Sequence, residues 1–353
     1  MHPPRETHLR PRRNLGRLKI LAAVLTLLGI GLFTYFLLAV GVDEVLDGVE
    51  KFGFDGFAVI VALFFTRIVA RAYAWKLSVH APYALRLRDT IPAVIIGEAM
   101  SVTVPLGILA SGTTKAIAVR KHIPLVGGLS SVATENLFYS FTTGLFLIIG
   151  AAVFVRRFAV EPGLIATLDG LIGTLAFLIL LGLIMVLRQW HFLSETCEWI
   201  YRKGYFRALL EDVRLDLRLF ENLIYGFYRN YPKRFLPICG IETAYHLLGI
   251  AEVWYILYRL GAGSSLMNAF LLESVSRLIT ILFKLVPFMV GVDEAGAQFV
   301  GQTVALAAGI GVTLAVIRKG RILFWAIVGW ILIIKRGISF ELAHEPEPSP
   351  NQI

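Results

Sequence analysis

Three charged residues share one side of a long apolar segment. Glu273, Arg277 and Lys284 stand in LMNAFLLESVSRLITILFKLVPFMV, residues 266–290, and spacings of four and seven put them on one helical face. A charged side chain at bilayer depth costs roughly 3 kcal/mol or more. Guanidinium and ammonium groups at that depth could bind the phosphate of a lipid head group. The pattern therefore predicts a transport path inside a membrane.

Plainer explanations exist for the same three residues. Glu273 and Arg277 are one helical turn apart and could neutralise each other as a structural ion pair. Lys284 could extend its ammonium group to the membrane surface. A functional role is favoured because the stripe points at a broken segment that contains Asp293 and Glu294.

Other charged residues in apolar surroundings could line the same path. Arg67 and Arg71 share a helical face in FFTRIVARAYAW. Arg71 and Trp75 together predict an anchor at the membrane surface, whereas the deeper Arg67 is predicted to face a lipid phosphate. Glu98 and Glu135 each need a cation from another segment or a bound proton. The candidate cations are Arg67, Lys115 and Arg277.

Glu242 and His246 lie four residues apart in CGIETAYHLLGIAEVW. The pair could bind zinc or relay protons. No third ligand stands at a supporting spacing and no H-E-x-x-H pattern occurs, so we expect no metal site. Proton coupling is the remaining hypothesis, because an imidazole titrates near neutral pH. Catalytic and nucleotide-binding motifs are absent from the sequence, so we expect no catalytic residue and no cofactor.

The composition predicts the elements that must position these residues. Hydrophobic residues make up 57% of the 353 residues and charged residues 17%, and the mean hydropathy is +0.71. These values predict an all-α, polytopic membrane protein with about seven to nine membrane segments. The net charge of +9 lies in loops beside the membrane, which favours a cytoplasmic N-terminus in a bacterial inner membrane over nucleic-acid binding.

The apolar runs predict crossings joined by short loops. An acidic loop, residues 43–50, would lie outside, whereas Arg318, Lys319 and Arg321 would lie in the cytoplasm. The predicted crossings are residues 20–40, 54–74, 129–154, 164–187, 235–257 and 266–286, with a short last run at 322–334.

Two broken segments, residues 90–110 and 287–316, are predicted to be re-entrant hairpins. A full crossing at either would place the basic residues that follow it on the outer side, against the positive-inside rule. Non-helical backbone at membrane depth survives only where protein or a water-filled cavity satisfies it. The predicted backbone breaks are Pro105, Gly107, Pro287 and Gly291.

These hairpins divide the predicted transmembrane domain, residues 20–336, into a pseudo-repeat of two halves. The first half covers about 20–187 and the second about 234–336, with an amphipathic cytoplasmic connector at 188–233. Residues 1–19 form a basic cytoplasmic N-terminus. Residues 337–353 are polar, rich in proline and predicted to be disordered.

Residues 102–137 and 271–296 resemble the flippase-like membrane family. That family includes the transmembrane region of lysylphosphatidylglycerol synthases and the hopanoid-biosynthesis-associated membrane proteins. The first stretch resembles its proline-glycine break followed by a basic residue and a helix with a buried glutamate, here Glu135. The second resembles its P-x-x-x-G-V-x-E element. The residues of that element are Pro287, Gly291, Val292 and Glu294.

The sequence departs from the commoner family pattern at Phe288, at Met289 and in having Lys115 rather than an arginine. The resemblance spans most of residues 20–336. It implies movement or handling of lipids or lipid-linked precursors across a prokaryotic plasma membrane. The soluble aminoacyl-transferring domain of full-length synthases has no counterpart in the sequence.

These observations predict a flippase-like transporter that passes a lipid head group through a charged intramembrane cavity. Its partners would be membrane phospholipids or a lipid-linked substrate, together with lipid-biosynthetic enzymes and no nucleic acid. One alternative is an intramembrane transferase acting on a polyprenyl-phosphate or lipid substrate. The other is an accessory scaffold of a lipid-biosynthetic complex. The predicted path is Arg67, Glu98, Lys115, Glu135, Glu273, Arg277, Lys284, Asp293 and Glu294.

Overall fold

The structure is a computed structural model, and it describes residues 15–103, 107–158, 162–203, 207–263, 265–282, 289–307 and 309–336. Across these ranges every regular element is helical, which confirms the predicted all-α class. A 3₁₀ turn, Pro232–Arg234, joins α8 to α9. The α-helices are α1 (Leu15–Val40), α2 (Val42–Leu77), α3 (Leu87–Thr103), α4 (Gly107–Ala118), α5 (Leu125–Arg157), α6 (Pro162–Arg188), α7 (Phe192–Arg202), α8 (Arg207–Asn230), α9 (Phe235–Leu260), α10 (Leu266–Leu282), α11 (Val292–Thr303) and α12 (Ile310–Arg336).

Three helical stretches in the described part of the chain are long and apolar enough to cross a membrane. They are Val42–Leu77, Leu125–Arg157 and Ile165–Val186. The apolar window of Ile165–Val186 contains no buried residue, so α6 would present its surface to lipid. The protein is therefore a multi-pass helical membrane protein.

Two details of the predicted topology differ from the structure. Asp43, Glu44, Asp47 and Glu50 belong to the first turns of α2 rather than to a loop, and Gly53, with φ of +72°, kinks that helix. Residues 310–316 do not close a hairpin, because they begin the continuous helix α12. The interruption between α11 and α12 therefore ends before residue 310, and Arg318, Lys319 and Arg321 of α12 pair with carboxylates inside the protein.

Each half contains a hairpin of two short helices. In the first hairpin α3 and α4 run antiparallel. Their contacts show this, since Gly107 lies against the Ser101 carbonyl oxygen and Gly97, earlier in α3, lies against Lys115, later in α4. In the second, Thr280 of α10 donates to Asp293 of α11 at 2.9 Å. Both hairpins join helices of 17 and 12 residues. Twelve residues extend about 18 Å, less than the ~30 Å hydrocarbon core.

Helices α2–α5 and α9–α12 pack in one repeated pattern. Within each set consecutive helices pack together, and the first helix also contacts the fourth. Between the sets α2 packs on α9, α3 on α12 and α5 on α10. Exchanging the two sets leaves this list unchanged, so the helices are related by an approximate two-fold arrangement.

Two glycines mark equivalent helix crossings in this arrangement. A Cβ on Gly150 of α5 would lie 2.2 Å from Ser274 Oγ of α10, and a Cβ on Gly329 of α12 would lie 2.4 Å from Ala99 Cβ and 2.9 Å from the Ile95 carbonyl oxygen of α3. Gly329 follows Gly150 by the same number of residues as Ser274 follows Ile95, so one sequence offset relates the two crossings. The repeat therefore lies in how the helices pack.

The connector between the halves is helical, as its amphipathic pattern predicts. Helices α7 and α8 pack together, and Ser194 Oγ donates to Glu221 Oε2 at 2.6 Å. The end of α8 packs on α5, where Phe227 is buried against Phe138. This part of the connector therefore rests on the helical bundle.

Candidate functional site

A cavity of about 540 Å³ lies between the two helix sets. Charged and hydroxyl side chains share its wall with aliphatic ones, including Leu171 and Leu175 of α6. A cavity of this size matches the ~300–1,000 Å³ of small-ligand sites. The charged and tyrosyl residues of its wall are Arg67, Arg71, Glu98, Lys115, Tyr139, Tyr245, Glu273, Arg277, Asp293, Arg318 and Arg321.

The acidic cluster lies beside the first hairpin and comprises Arg71, Lys115, Glu98, Glu135 and Glu242. Arg71 Nη2 donates to Glu135 Oε1 at 2.7 Å, and Arg71 Nη1 donates to Glu98 Oε1 at 3.3 Å. Lys115 Nζ lies 3.9 Å from Glu135 Oε2. Three carboxyl groups therefore share two cations.

The basic cluster lies where α2, α9, α10 and α12 meet, and it joins the two helix sets. Its members are Arg67, Arg277, Arg318, Arg321, Glu252 and Glu273. Glu273 accepts from Arg277 at 2.8 Å and from Arg318 at 2.7 Å.

Glu252 is the second carboxylate of the basic cluster. It accepts from Arg67 at 3.2 Å and from Arg321, and Arg318 Nε lies 3.6 Å from its Oε1. Four guanidinium groups thus face two carboxylates, an excess of two positive charges within the cluster.

A third group of charges ties α11 to α12. Lys319 Nζ donates to Glu294 Oε1 at 2.6 Å, and the Gly291 N–H donates to Glu294 Oε2 at 2.7 Å. Asp293 accepts from Thr280 and lines the cavity near Arg318. Asp293 therefore faces the cavity, whereas Glu294 caps the N-terminus of α11.

Tyrosine rings position the guanidinium groups of the cavity. The Arg71 guanidinium lies 4.1 Å from the centroid of Tyr139, and that of Arg67 lies 4.2 Å from the centroid of Tyr245. The two rings contact each other edge to face. Such contacts favour a cation over a ring face while its N–H groups bond to carboxylates, which fixes the direction of each guanidinium.

Residues 20–329 match the family described as the lysylphosphatidylglycerol synthase TM region. The chain belongs to this family. The resemblance predicted from residues 102–137 and 271–296 is therefore confirmed. Members of the family are membrane proteins related to lipid modification or translocation. No curated protein and no solved structure matches the chain.

In this family member the predicted path residues from both halves meet at one cavity. Arg67, Glu98, Lys115, Glu273 and Arg277 line it. Asp293 lines it as well, and Glu135 and Glu294 bond to neighbouring cations. Glu273 and Arg277 form an ion pair, as the plainer explanation of their spacing has it, and both also line the cavity. Lys284, Pro105 and Pro287 lie outside the described residues, as do residues 1–14 and 337–353.

The predicted breaks that the structure describes are both glycine-dependent. A Cβ on Gly107 would lie 2.0 Å from the Ser101 carbonyl oxygen, so only glycine lets α3 and α4 approach so closely. Gly291 has φ of +80°, a conformation that glycine adopts readily. Both glycines therefore stand at the turns that form the hairpins.

The proposed proton-coupling pair separates in the structure. His246 Nε2 lies 3.1 Å from Thr143 Oγ1, and its ring stacks on Phe146 with centroids 4.8 Å apart. Glu242 belongs instead to the acidic cluster, where it interacts with Glu135, Arg71 and Lys115. The two side chains thus have different neighbours.

Three predictions about charged residues are wrong. Arg71 is not an anchor at the membrane surface, because α3 and α5 cover it and supply carboxylates. Arg318 and Arg321 do not lie in a loop after a hairpin, because α12 continues past them and they pair with carboxylates of α9 and α10. Lys319 lies in the same helix and pairs with Glu294 of α11.

One signal in the sequence could have revealed these cations. Apolar runs flank Arg318, Lys319 and Arg321 on both sides, in IGVTLAVIRKGRILFWAIVGWILII. Charges in the middle of so long an apolar stretch indicate internal pairing. Glu252, the carboxylate that Arg318 and Arg321 share, stands in a similar apolar setting.

A second cavity, of about 760 Å³, adjoins the charged one. It lies between α5, α6, α8 and the start of α9, and its lining includes Phe141, Leu178 and Phe235. Ser140, Gly144 and Leu175 line both cavities. The charged cavity therefore continues sideways into an apolar cleft beside α6.

Proposed function

We propose that this protein moves lipids or lipid-linked precursors between the leaflets of a bacterial plasma membrane. The supporting observation is the positive excess of the basic cluster at the wall of the cavity. The side chains of Arg277 and Arg318 are 20% and 22% exposed, so their donors can reach a ligand. Arginine binds phosphate through paired N–H groups, and an anionic head group would neutralise the excess charge.

The apolar cleft supports the same proposal, because a translocated lipid needs a place for its acyl chains. The cleft meets the charged cavity at Ser140, Gly144 and Leu175. Helix α6 forms one wall and its apolar window contains no buried residue. In the proposed mechanism the head group enters the charged cavity while the acyl chains remain in the cleft beside α6.

The two hairpins are proposed to enter the membrane without crossing it. Their 12-residue helices, α4 and α11, are too short to span the hydrocarbon core, and their breaks lie beside protein. Re-entrant hairpins in both halves would leave the N-terminus in the cytoplasm and place the cavity near the bilayer midplane. Membrane phospholipids or a lipid-linked substrate would be the partners.

Leaflet exchange in liposomes tests the proposal. The purified protein would be reconstituted, and the exchange of labelled anionic and zwitterionic lipids would be followed. We expect head-group-selective exchange in the wild type and at least a tenfold loss in Arg318→Ala, which removes two ion pairs of the basic cluster.

Arg259→Ala is the matched control for that experiment. Arg259 pairs with Asp55 at 2.7 Å on the exposed side of α2 and α9, away from the cavity wall. It should exchange lipids at the wild-type rate. If folded wild-type protein exchanges no lipid, or if both variants exchange equally, the transport proposal is wrong.

The transferase alternative would use Asp293 and Glu294 in chemistry. Glu294 is fully buried and bonded to Lys319 and to the Gly291 amide. Asp293 bonds to Thr280. A general base needs an oxygen within reach of the proton that it removes, and both oxygens of Glu294 are already bonded. Transfer chemistry would therefore depend on Asp293 alone, without the second carboxylate that this alternative uses.

A further inference from the structure

Glu242 is a buried carboxyl group without a hydrogen-bond donor in the described part of the chain. Its side chain lies in α9 and the residue is 0% exposed. Neither of its oxygens has a hydrogen-bond partner among the described residues. An ionised carboxylate in such a place would lose its hydration without gaining hydrogen bonds in return. A bound proton would remove this cost.

Another carboxyl group interacts with Glu242. It belongs to Glu135 of α5, whose Oε2 is buried and also lacks a donor among the described residues. Two ionised carboxylates have only acceptors and cannot bond to each other. One proton between them turns this repulsive contact into a hydrogen bond.

The surrounding charges fit one shared proton. Arg71 of α2 and Lys115 of α4 face the pair, and Glu98 of α3 bonds to Arg71. With Glu135 and Glu242 both ionised, three carboxylates would share two cations. One bound proton makes the acidic cluster neutral.

The other helices that pack on α9 do not supply the missing positive charge. On α12, Arg318 and Arg321 bond to Glu252 and Lys319 bonds to Glu294, whereas Lys335 and Arg336 lie in the last turn of the helix. Arg277 of α10 bonds to Glu273. Glu252 lies ten residues along α9 from Glu242, about 15 Å at the helical rise. On α9 itself, His246 bonds to Thr143, and Cys239, which interacts with Glu242, carries no positive charge.

We propose that Glu135 and Glu242 form a proton-binding site whose occupancy sets the rate of lipid movement through the cavity. Arg71 connects this site to the cavity, because it bonds to Glu135 and lines the wall. A head-group phosphate that attracts Arg71 would draw its guanidinium away from Glu135, so lipid binding would be coupled to the charge of the pair. The proton site rests on two buried carboxyl groups that lack donors among the described residues, whereas its role in transport rests on the proposed function.

Infrared spectroscopy of the reconstituted protein tests the proton site without any transport assay. A protonated carboxyl group has a carbonyl stretch separate from that of a carboxylate. We expect this band in the wild type at neutral pH, its loss as the pH is raised, and its absence in Glu242→Gln. The titration of the wild type decides the question even if the variant does not fold.

Glu252→Gln is the matched control, because Glu252 is equally buried on the same helix but contacts three arginines. It should leave the band unchanged. A wild type without the band, or a band that disappears in Glu252→Gln and persists in Glu242→Gln, overturns the inference.

Leaflet exchange measured across pH tests the role in transport. The wild-type rate should change several-fold over the pH range in which the band titrates, and Glu242→Gln should lose this dependence. Equal pH profiles in both proteins would overturn the role in transport. A titrating band in a protein that moves no lipid would support the proton site and refute the proposed function.

Discussion

The two helix sets, α2–α5 and α9–α12, have the same packing but carry opposite charges at two matching positions. The sequence offset that relates Gly329 to Gly150 also relates Arg277 to Glu98, on α10 and α3, and Glu294 to Lys115, on α11 and α4. On the other two pairs of matching helices the opposite charges lie at positions that the offset does not match, Glu135 and Lys319 on α5 and α12 and Arg71 and Glu252 on α2 and α9.

The comparison shows that the helix arrangement does not determine the sign of the charges that it buries. In the first set Lys115 of α4 pairs with Glu135 of α5, and in the second Glu294 of α11 pairs with Lys319 of α12. The position of a pair is repeated and its polarity is reversed. Among the described residues the two clusters also differ in balance, since the acidic cluster has one more carboxyl group than cations and the basic cluster has two more cations than carboxylates.

The largest expected effect contrasts two glutamates of α9. Glu252→Ala removes a carboxylate that three arginines share and should destabilise the protein by about 3–5 kcal/mol, because buried cations lose their partner. Glu242→Ala removes a carboxyl group that lacks a donor and should cost less. Unfolding in detergent, followed by tryptophan fluorescence, measures both; equal losses would refute the contrast.

A charge reversal tests the polarity of the repeated pair. Lys319→Glu alone should destabilise the protein, because it places a second carboxylate against Glu294. Adding Glu294→Lys should restore part of the loss, with a coupling energy of about 1–3 kcal/mol. Thermal unfolding of the two single variants and the double variant gives this energy. Strict additivity would show that the pair carries no mutual stabilisation.

The equivalent glycine crossings predict a smaller effect. Gly150→Val and Gly329→Val each add atoms where a Cβ already meets another helix within 2.4 Å, and each should cost about 1–3 kcal/mol by overpacking. Gly170, with no atom within 4 Å of its Cβ position, is the control for the change in residue type. Thermal melts measure all three variants. If Gly150→Val or Gly329→Val is as stable as Gly170→Val, the two crossings are not equivalent.

The smallest effect is expected outside the cavity. Arg259 and Asp55 form an ion pair on the exposed surface between α2 and α9, and such pairs contribute little because water and salt screen them. Arg259→Ala should leave the melting temperature unchanged within error. A loss as large as that of Glu252→Ala would mean that exposed and buried bridges between the sets are equivalent.

Much of the fold could be predicted from the sequence because the bilayer imposes strong rules. Apolar runs give helices, and glycine and proline breaks such as Gly107 and Gly291 locate the hairpins. Charges inside apolar runs gave most of the cavity wall, including Arg67, Glu98 and Arg277. These signals are local, so single segments reveal them.

The pairing of those charges could not be predicted, because it depends on which helices meet. Arg71 precedes Trp75 by one turn and has the pattern of a surface anchor; only the packing of α3 and α5 over it makes it internal. The two broken segments predicted a pseudo-repeat, but which residues correspond could not be predicted, since the match of Gly150 and Gly329 emerges only from the helix crossings.

The reversed polarity of the halves gives each half a preferred mate. Arg67 of α2 reaches across the boundary to Glu252 of α9 and Glu273 of α10. If two copies of the first half were paired instead, the same offset would put Tyr73 and Val94 in place of these two carboxylates, and the buried Arg67 would lose its partners. Two halves of one architecture thus recognise each other as unlike partners, because each supplies charges that a copy of the other could not.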